Sequence, residues 1–77
     1  MTRAAFVRAI EEIFGVEART LHERSSRETI PEWTSLADVQ IFTLIQTEFG
    51  VEPDQVLIEA DTIGELTAAL REKGAFS

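Results

Sequence analysis

The stretch Glu32-Trp33-Thr34-Ser35-Leu36-Ala37-Asp38-Val39 closes a long polar segment and opens the best amphipathic run in the chain. It is therefore where loop becomes helix. Ser35 followed by Asp38 three residues later fits a capping box, in which a hydroxyl starts a helix and an acid reaches back, a cap worth about 1 kcal/mol. On this reading Ser35 is the N-cap. Its hydroxyl then lies at an exposed helix N-terminus, where backbone N–H groups and the helix dipole favour negative charge, an attached phosphate included.

Downstream, the helical pattern runs to Phe49 and stops at Gly50. Val39, Phe42, Ile45, Phe49 and, at the margin, Ile41 form the arc expected to face a core. Leu36, Gln40, Thr43 and Thr47 form the opposite, uncharged arc, with Leu36 exposed beside Ser35. Pro53-Asp54 opens a short helical turn through about Leu57 or Ile58. Asp61-Thr62-Ile63-Gly64-Glu65 is another helix start, with Thr62 and Glu65 spaced as a capping box, and Leu66, Ala69 and Leu70 carry its apolar stripe to about Lys73.

Upstream lies a connection of about twenty residues, Gly15 to Thr34, whose large apolar residues are Val16, Leu21, Ile30 and Trp33. A loop this long in so small a domain is functional or held by such anchors. Pro31 keeps Ile30 out of helical geometry, so the loop is expected to run extended into the Ser35 region. Before it, residues Thr2 to Phe14 place Phe6, Val7, Ile10, Ile13 and Phe14 on one helical stripe, stopped by Gly15. The whole reads as one all-α domain over residues 1–77: three main helices, one short helix, and a long loop between the first and second.

Composition narrows what such a domain does. A hydrophobic share of 44% with 27% charged residues is ordinary for a globular chain. With no cysteine, disulfides, thiolate metal sites and cysteine nucleophiles are excluded, and a reducing cytoplasm is the expected compartment. Met1-Thr2-Arg3-Ala4-Ala5-Phe6 lacks the apolar run of a secretory signal, and no stretch is long enough to span a membrane. The net charge of −7 is uneven: residues 1–31 hold five arginines against five glutamates, whereas Glu32 to Leu70 holds eight acids and no Lys or Arg. That half repels nucleic-acid phosphates and anionic lipid and steers towards basic protein surfaces. A small DNA-binding helical domain is therefore disfavoured.

Catalytic chemistry finds little material. His22 is the single histidine and reads as a solvated loop residue. There is no glycine-rich phosphate loop, no metal-ligand spacing, and nothing resembling a nucleophile elbow around Ser35 to support a triad with His22 and Asp38. The chain is not expected to be an enzyme in its own right.

Taken together, Trp33-Thr34-Ser35-Leu36, then Val39 and Ile41, then Glu48-Phe49-Gly50-Val51, and finally Asp61-Thr62-Ile63-Gly64-Glu65-Leu66 make the chain resemble an acyl carrier protein over nearly its full length. The resemblance implies a four-helix carrier bundle with phosphopantetheine joined covalently to Ser35. It implies installation by a separate phosphopantetheinyl transferase, and acyl or aminoacyl cargo held as thioesters for fatty acid, polyketide or related biosynthesis. Implied partners are that transferase and acyl-loading or acyl-transferring enzymes with basic patches, meeting Leu36, Asp38, Gln40, Thr43, Thr47 and Glu48. The carrier is expected to be monomeric. Phe42, Ile45, Val56, Ile58, Ile63 and Leu66 would line space for the acyl chain. Thr34 stands where such carriers usually have Asp, and Gln40, Gln46 and Thr47 stand where they usually have acids, which implies partners of a specialised pathway. The alternative is an unmodified interaction domain in which Ser35 only caps the helix.

Overall fold

Three of the four helices start on a threonine. The computed structural model describes residues 1–76, with α1 at Arg3–Phe14, α2 at Ser35–Phe49, α3 at Gln55–Glu59 and α4 at Ile63–Glu72. Thr2, Thr34 and Thr62 each adopt extended backbone at the N-cap and accept a hydrogen bond from the N–H three residues on, while Asp54 does the same for α3. Gly15 and Gly50 end α1 and α2 in the left-handed conformation, with φ of 75° and 66°, where a Cβ would be strained. Among the described residues there is no strand, only an isolated bridge between Ser26 and Thr62. No described helix is long and apolar enough to cross a membrane.

The core is drawn from every element. Phe6, Ile10 and Phe14 of α1, Ala37, Ile41 and Ile45 of α2, Leu57 of α3, and Ile63, Leu66, Ala69 and Leu70 of α4 are buried together with Leu21 and Trp33 of the loop. Phe6, Phe49 and Phe76 form a ring cluster at one end, with centroids 5.6–5.7 Å apart, and Phe14 meets Trp33 at 5.9 Å at the other. Tilted and edge-on aromatic contacts of this kind add to simple burial. The radius of gyration is 11.2 Å, close to the roughly 11.5 Å of a compact chain this long.

Two expectations about α2 and the loop are corrected here. Val39 does not face the core: the buried row is Ala37, Ile41 and Ile45, flanked by Phe42, Leu44 and Phe49, and Val39 lies on the far side, 61% exposed. Apolar residues occupy most of the circumference of α2, so periodicity alone did not choose between rows. The loop does not run extended into Ser35 either. It folds back twice, with the Ile30 N–H donating to the Ser26 carbonyl (2.9 Å) and the Trp33 N–H to the Ile30 carbonyl (3.0 Å).

Polar anchors complete what Leu21 and Trp33 begin. Glu11, almost fully buried, accepts from the Leu21 N–H through Oε2 at 3.0 Å, with the Arg8 guanidinium 3.8 Å from its other oxygen. Buried Ser25 Oγ accepts from the His22 N–H. The loop then runs beside the start of α4, where the Ser25 and Glu23 carbonyls accept from the Ile63 and Gly64 N–H groups, both at 2.9 Å. This is why a loop of such length is ordered: its backbone closes one helix and its side chains fill the core between others.

Candidate functional site

The cap of α2 is Thr34, not Ser35. Thr34 Oγ1 accepts from the Ala37 N–H at 3.2 Å, and the Thr34 carbonyl accepts the first helical bond, from the Asp38 N–H, at 3.0 Å. Ser35 is thus the first helical residue, and the reading of it as the cap is overturned. The physical reason is the fate of Asp38. Its carboxylate does not reach back to the helix start, because Oδ2 takes the Arg27 Nη1–H at 2.6 Å and Oδ1 takes the Trp33 indole N–H at 2.8 Å. Arg27 is a cationic donor, so this bond is also an ion pair and is stronger than the bond to a neutral backbone N–H that a capping box offers.

Relieved of capping, the Ser35 side chain is exposed, and so is Leu36, 69% accessible. Neither the Ser35 nor the Leu36 N–H is hydrogen-bonded to a backbone acceptor among the described residues. Two N–H donors at the positive end of a fifteen-residue helix, beside a hydroxyl with no hydrogen-bond partner among the described residues, favour negative charge there. The N-terminus of α1 is open too, but it presents Arg3 and Ala4, which carry no hydroxyl.

Below Ser35 an exposed strip descends α2. Leu36, Val39, Gln40, Thr43, Thr47 and Glu48 all lie on it, and Ile13 of α1 with Leu44 helps close an apolar groove of about 440 Å³ along its lower part. Five of the six residues expected to meet partners therefore share one accessible helix face. Asp38 is the exception. Half-buried and held by Arg27 and Trp33, it is committed within the molecule. The strip is uncharged until Glu48, so the acidity of this half of the chain lies elsewhere. Glu59, Glu65 and Glu72 surround a shallow groove of about 410 Å³ between α3 and α4, together with Val56, Ala60, Ala68 and Ala69.

The residues expected to line acyl space divide. Ile45, Ile63 and Leu66 are fully or almost fully buried, and Phe42 packs against them at the edge of the core. Val56 and Ile58 do not join them, being 61% and 51% exposed. A five-residue helix with one buried side chain, Leu57, must turn the residues on either side outward, because each step rotates by about 100°. They are surface residues rather than interior lining.

The feature that sequence reasoning missed is Arg27. Its Nε and Nη2 donate to the Ala60 carbonyl at 3.3 and 3.2 Å, its Nε lies 3.7 Å from Asp61, its Nη1 binds Asp38, and its guanidinium sits 4.6 Å from the Trp33 ring centroid. One side chain joins the loop, the start of α2 and the α3–α4 connection. The available signal was its placement as the last basic residue before the acidic half; its partners are far away in sequence. Among the described residues no group of His, Asp or Glu is arranged to hold a metal. No protein-family model matches this chain, and neither a curated protein nor a solved structure does.

Proposed function

We propose that the chain is a discrete carrier protein with the architecture of a small four-helix carrier bundle, modified at Ser35 by phosphopantetheine. The observation that carries the reading is the open first turn of α2: an exposed serine whose structural duty is discharged by Thr34, next to two N–H groups without backbone acceptors. When attached, phosphopantetheine supplies a terminal thiol that holds acyl or aminoacyl groups as thioesters. The remaining work falls to the chain. Ser35 provides the oxygen for attachment, the first-turn N–H groups and the helix dipole favour the phosphate charge, and Leu36, Val39, Gln40, Thr43 and Thr47 give partner enzymes an accessible face. A domain without cysteine and with one exposed histidine then needs no catalytic group of its own.

Thr34 replaces the Asp that the resemblance to acyl carrier proteins leads one to expect. Threonine and aspartate both accept from the N–H at the third helical position, so the start of the helix is kept while one negative charge is lost. A transferase that reads the cap geometry therefore accepts the chain. One that reads the charge works more slowly.

Incubation with coenzyme A and a broad-specificity phosphopantetheinyl transferase is expected to add the mass of one phosphopantetheine, and Ser35→Ala to abolish the addition. Absence of a mass gain with several transferases, on folded protein, overturns the reading.

A further inference from the structure

Asp38 is the one acidic residue in the first turn of α2 and stands three positions after Ser35, which makes it a neighbour of Ser35 on the helix surface. A bare carboxylate there opposes any anion on Ser35. Arg27 is bound to it at 2.6 Å and is itself fixed by the Ala60 carbonyl and by the Trp33 ring. Trp33 and Asp38 flank Ser35 in the chain, and the Trp33 indole N–H takes the other Asp38 oxygen. We propose that Arg27 is a positioning and charge-screening residue for Ser35: it neutralises the carboxylate beside the modification site and ties that helical turn to the α3–α4 connection.

Used on phosphopantetheine, the proposal rests on the carrier reading, but the screening itself does not, because any anion at position 35 reports it. The first arm uses Ser35→Glu, which places a carboxylate at the first helical position. With Arg27 present it is expected to melt no lower than the parent chain, since the helix dipole favours it. In an Arg27→Gln background the same change is expected to lower the melting temperature by about 1–4 °C at low salt, and adding Asp38→Asn to remove that loss. The asparagine side chain carries no charge to oppose the new anion, and its amide oxygen can still accept from the Trp33 indole N–H.

The second arm measures kcat/KM for phosphopantetheine addition. Arg27→Gln is expected to slow it about two- to tenfold at low salt, Arg27→Gln with Asp38→Asn to recover the parent rate, and the deficit to shrink as ionic strength rises. If Arg27 were only structural glue, the double variant would be no better than Arg27→Gln, and that result overturns the proposal. Should Arg27→Gln fail to fold, Arg27→Lys replaces it. Lysine keeps the charge and loses the fork on Ala60, so the rate should hold while the melting temperature falls; a parallel fall in both overturns the screening role. If the parent chain takes no phosphopantetheine while the Ser35→Glu coupling appears, the carrier reading fails and the screening role stands. If modification proceeds and the coupling is zero in both arms, the reverse holds.

Discussion

The first turns of α2 and α4 are built from the same part and put to opposite uses. Thr34 and Thr62 both sit in extended backbone and both accept from the third helical N–H, at 3.2 and 3.0 Å. After the cap they diverge. In α4 the first residue is Ile63, wholly buried, the second is Gly64, and both N–H groups are taken by loop carbonyls. Glu65 then reaches back to the Asp61 N–H at 2.8 Å, one residue beyond the Thr62 N–H that a capping box would use. In α2 the first residue is Ser35, the second Leu36, both exposed, and the acid that would reach back is held by Arg27 and Trp33. One terminus is sealed by the fold and the other is left open. The fold needs the first and has no structural use for the exposed groups of the second.

The sharpest way to break this contrast is to truncate the matching positions. Ile63→Ala empties a fully buried site and is expected to cost about 2–5 kcal/mol. Leu36→Ala, on the open terminus, is expected to stay within about 0.5 kcal/mol. Urea unfolding followed by the single buried tryptophan, Trp33, reads both, and a loss above about 1 kcal/mol at Leu36 would mean that the open turn is a structural element after all.

Gly64 and Leu36 occupy the same second position and give the next largest difference. A Cβ on Gly64 would lie 2.9 Å from the Glu23 carbonyl oxygen, a backbone atom that the Gly64 N–H itself holds in place. Alanine is the better helix former by up to about 1 kcal/mol, yet overpacking against fixed backbone costs about 1–3 kcal/mol. Gly64→Ala is therefore expected to be net destabilising by about 1–2 kcal/mol. An increase in stability would show that the loop yields, and that the closed terminus is less tightly sealed than its hydrogen bonds imply.

Much of this contrast was legible in the sequence, and the part that was not has a common cause. Thr62-Ile63-Gly64-Glu65 announced its helix because every signal agreed: cap, acid and apolar stripe in one register. The bounds of α2 were equally clear, since the loop ends at Thr34 and Gly50 stops the helix. Which residue capped it was not, because Thr34 and Ser35 are adjacent candidates and the decision belonged to Asp38, whose partner Arg27 is eleven residues away in a loop. Val39 was misplaced because α2 is apolar on both sides of its buried row. Val56 and Ile58 were misplaced because α3 is too short for its pattern to mark an inner face. Local pattern located the elements, and long-range ion pairing and packing decided which of their faces stay open.

The cap assignment makes the two threonines equivalent and separates them from Ser35 by about 1 kcal/mol. Thr34→Ala and Thr62→Ala are each expected to cost about 1 kcal/mol, whereas Ser35→Ala, which removes no cap, is expected to cost less than about 0.5 kcal/mol. Equal losses at Thr34 and Ser35 would restore the serine to a capping role and remove the main support for its availability.

The smallest expected effect concerns the far end of the sealed helix. Lys73, which caps the C-terminus of α4, hydrogen-bonds Asp54, which caps the N-terminus of α3. That bond, followed by the one from the Leu57 N–H, holds the Asp54 carboxyl below its ordinary value. A carboxylate with a lowered pKa in the folded state contributes stability that is fully present above its unfolded value and disappears as the pH falls through the folded one. The pair is at the surface, so its contribution is small and screened by salt. Lys73→Met should therefore lower stability slightly at neutral pH and low salt, with the difference from the parent chain fading on the acid side of the ordinary carboxylate range. No counterpart exists at the end of α2, where Gly50 closes the helix through backbone alone and no basic residue lies in the last turn. A loss in Lys73→Met that does not change with pH or with salt would mean that the lysine acts through packing rather than through its charge on Asp54.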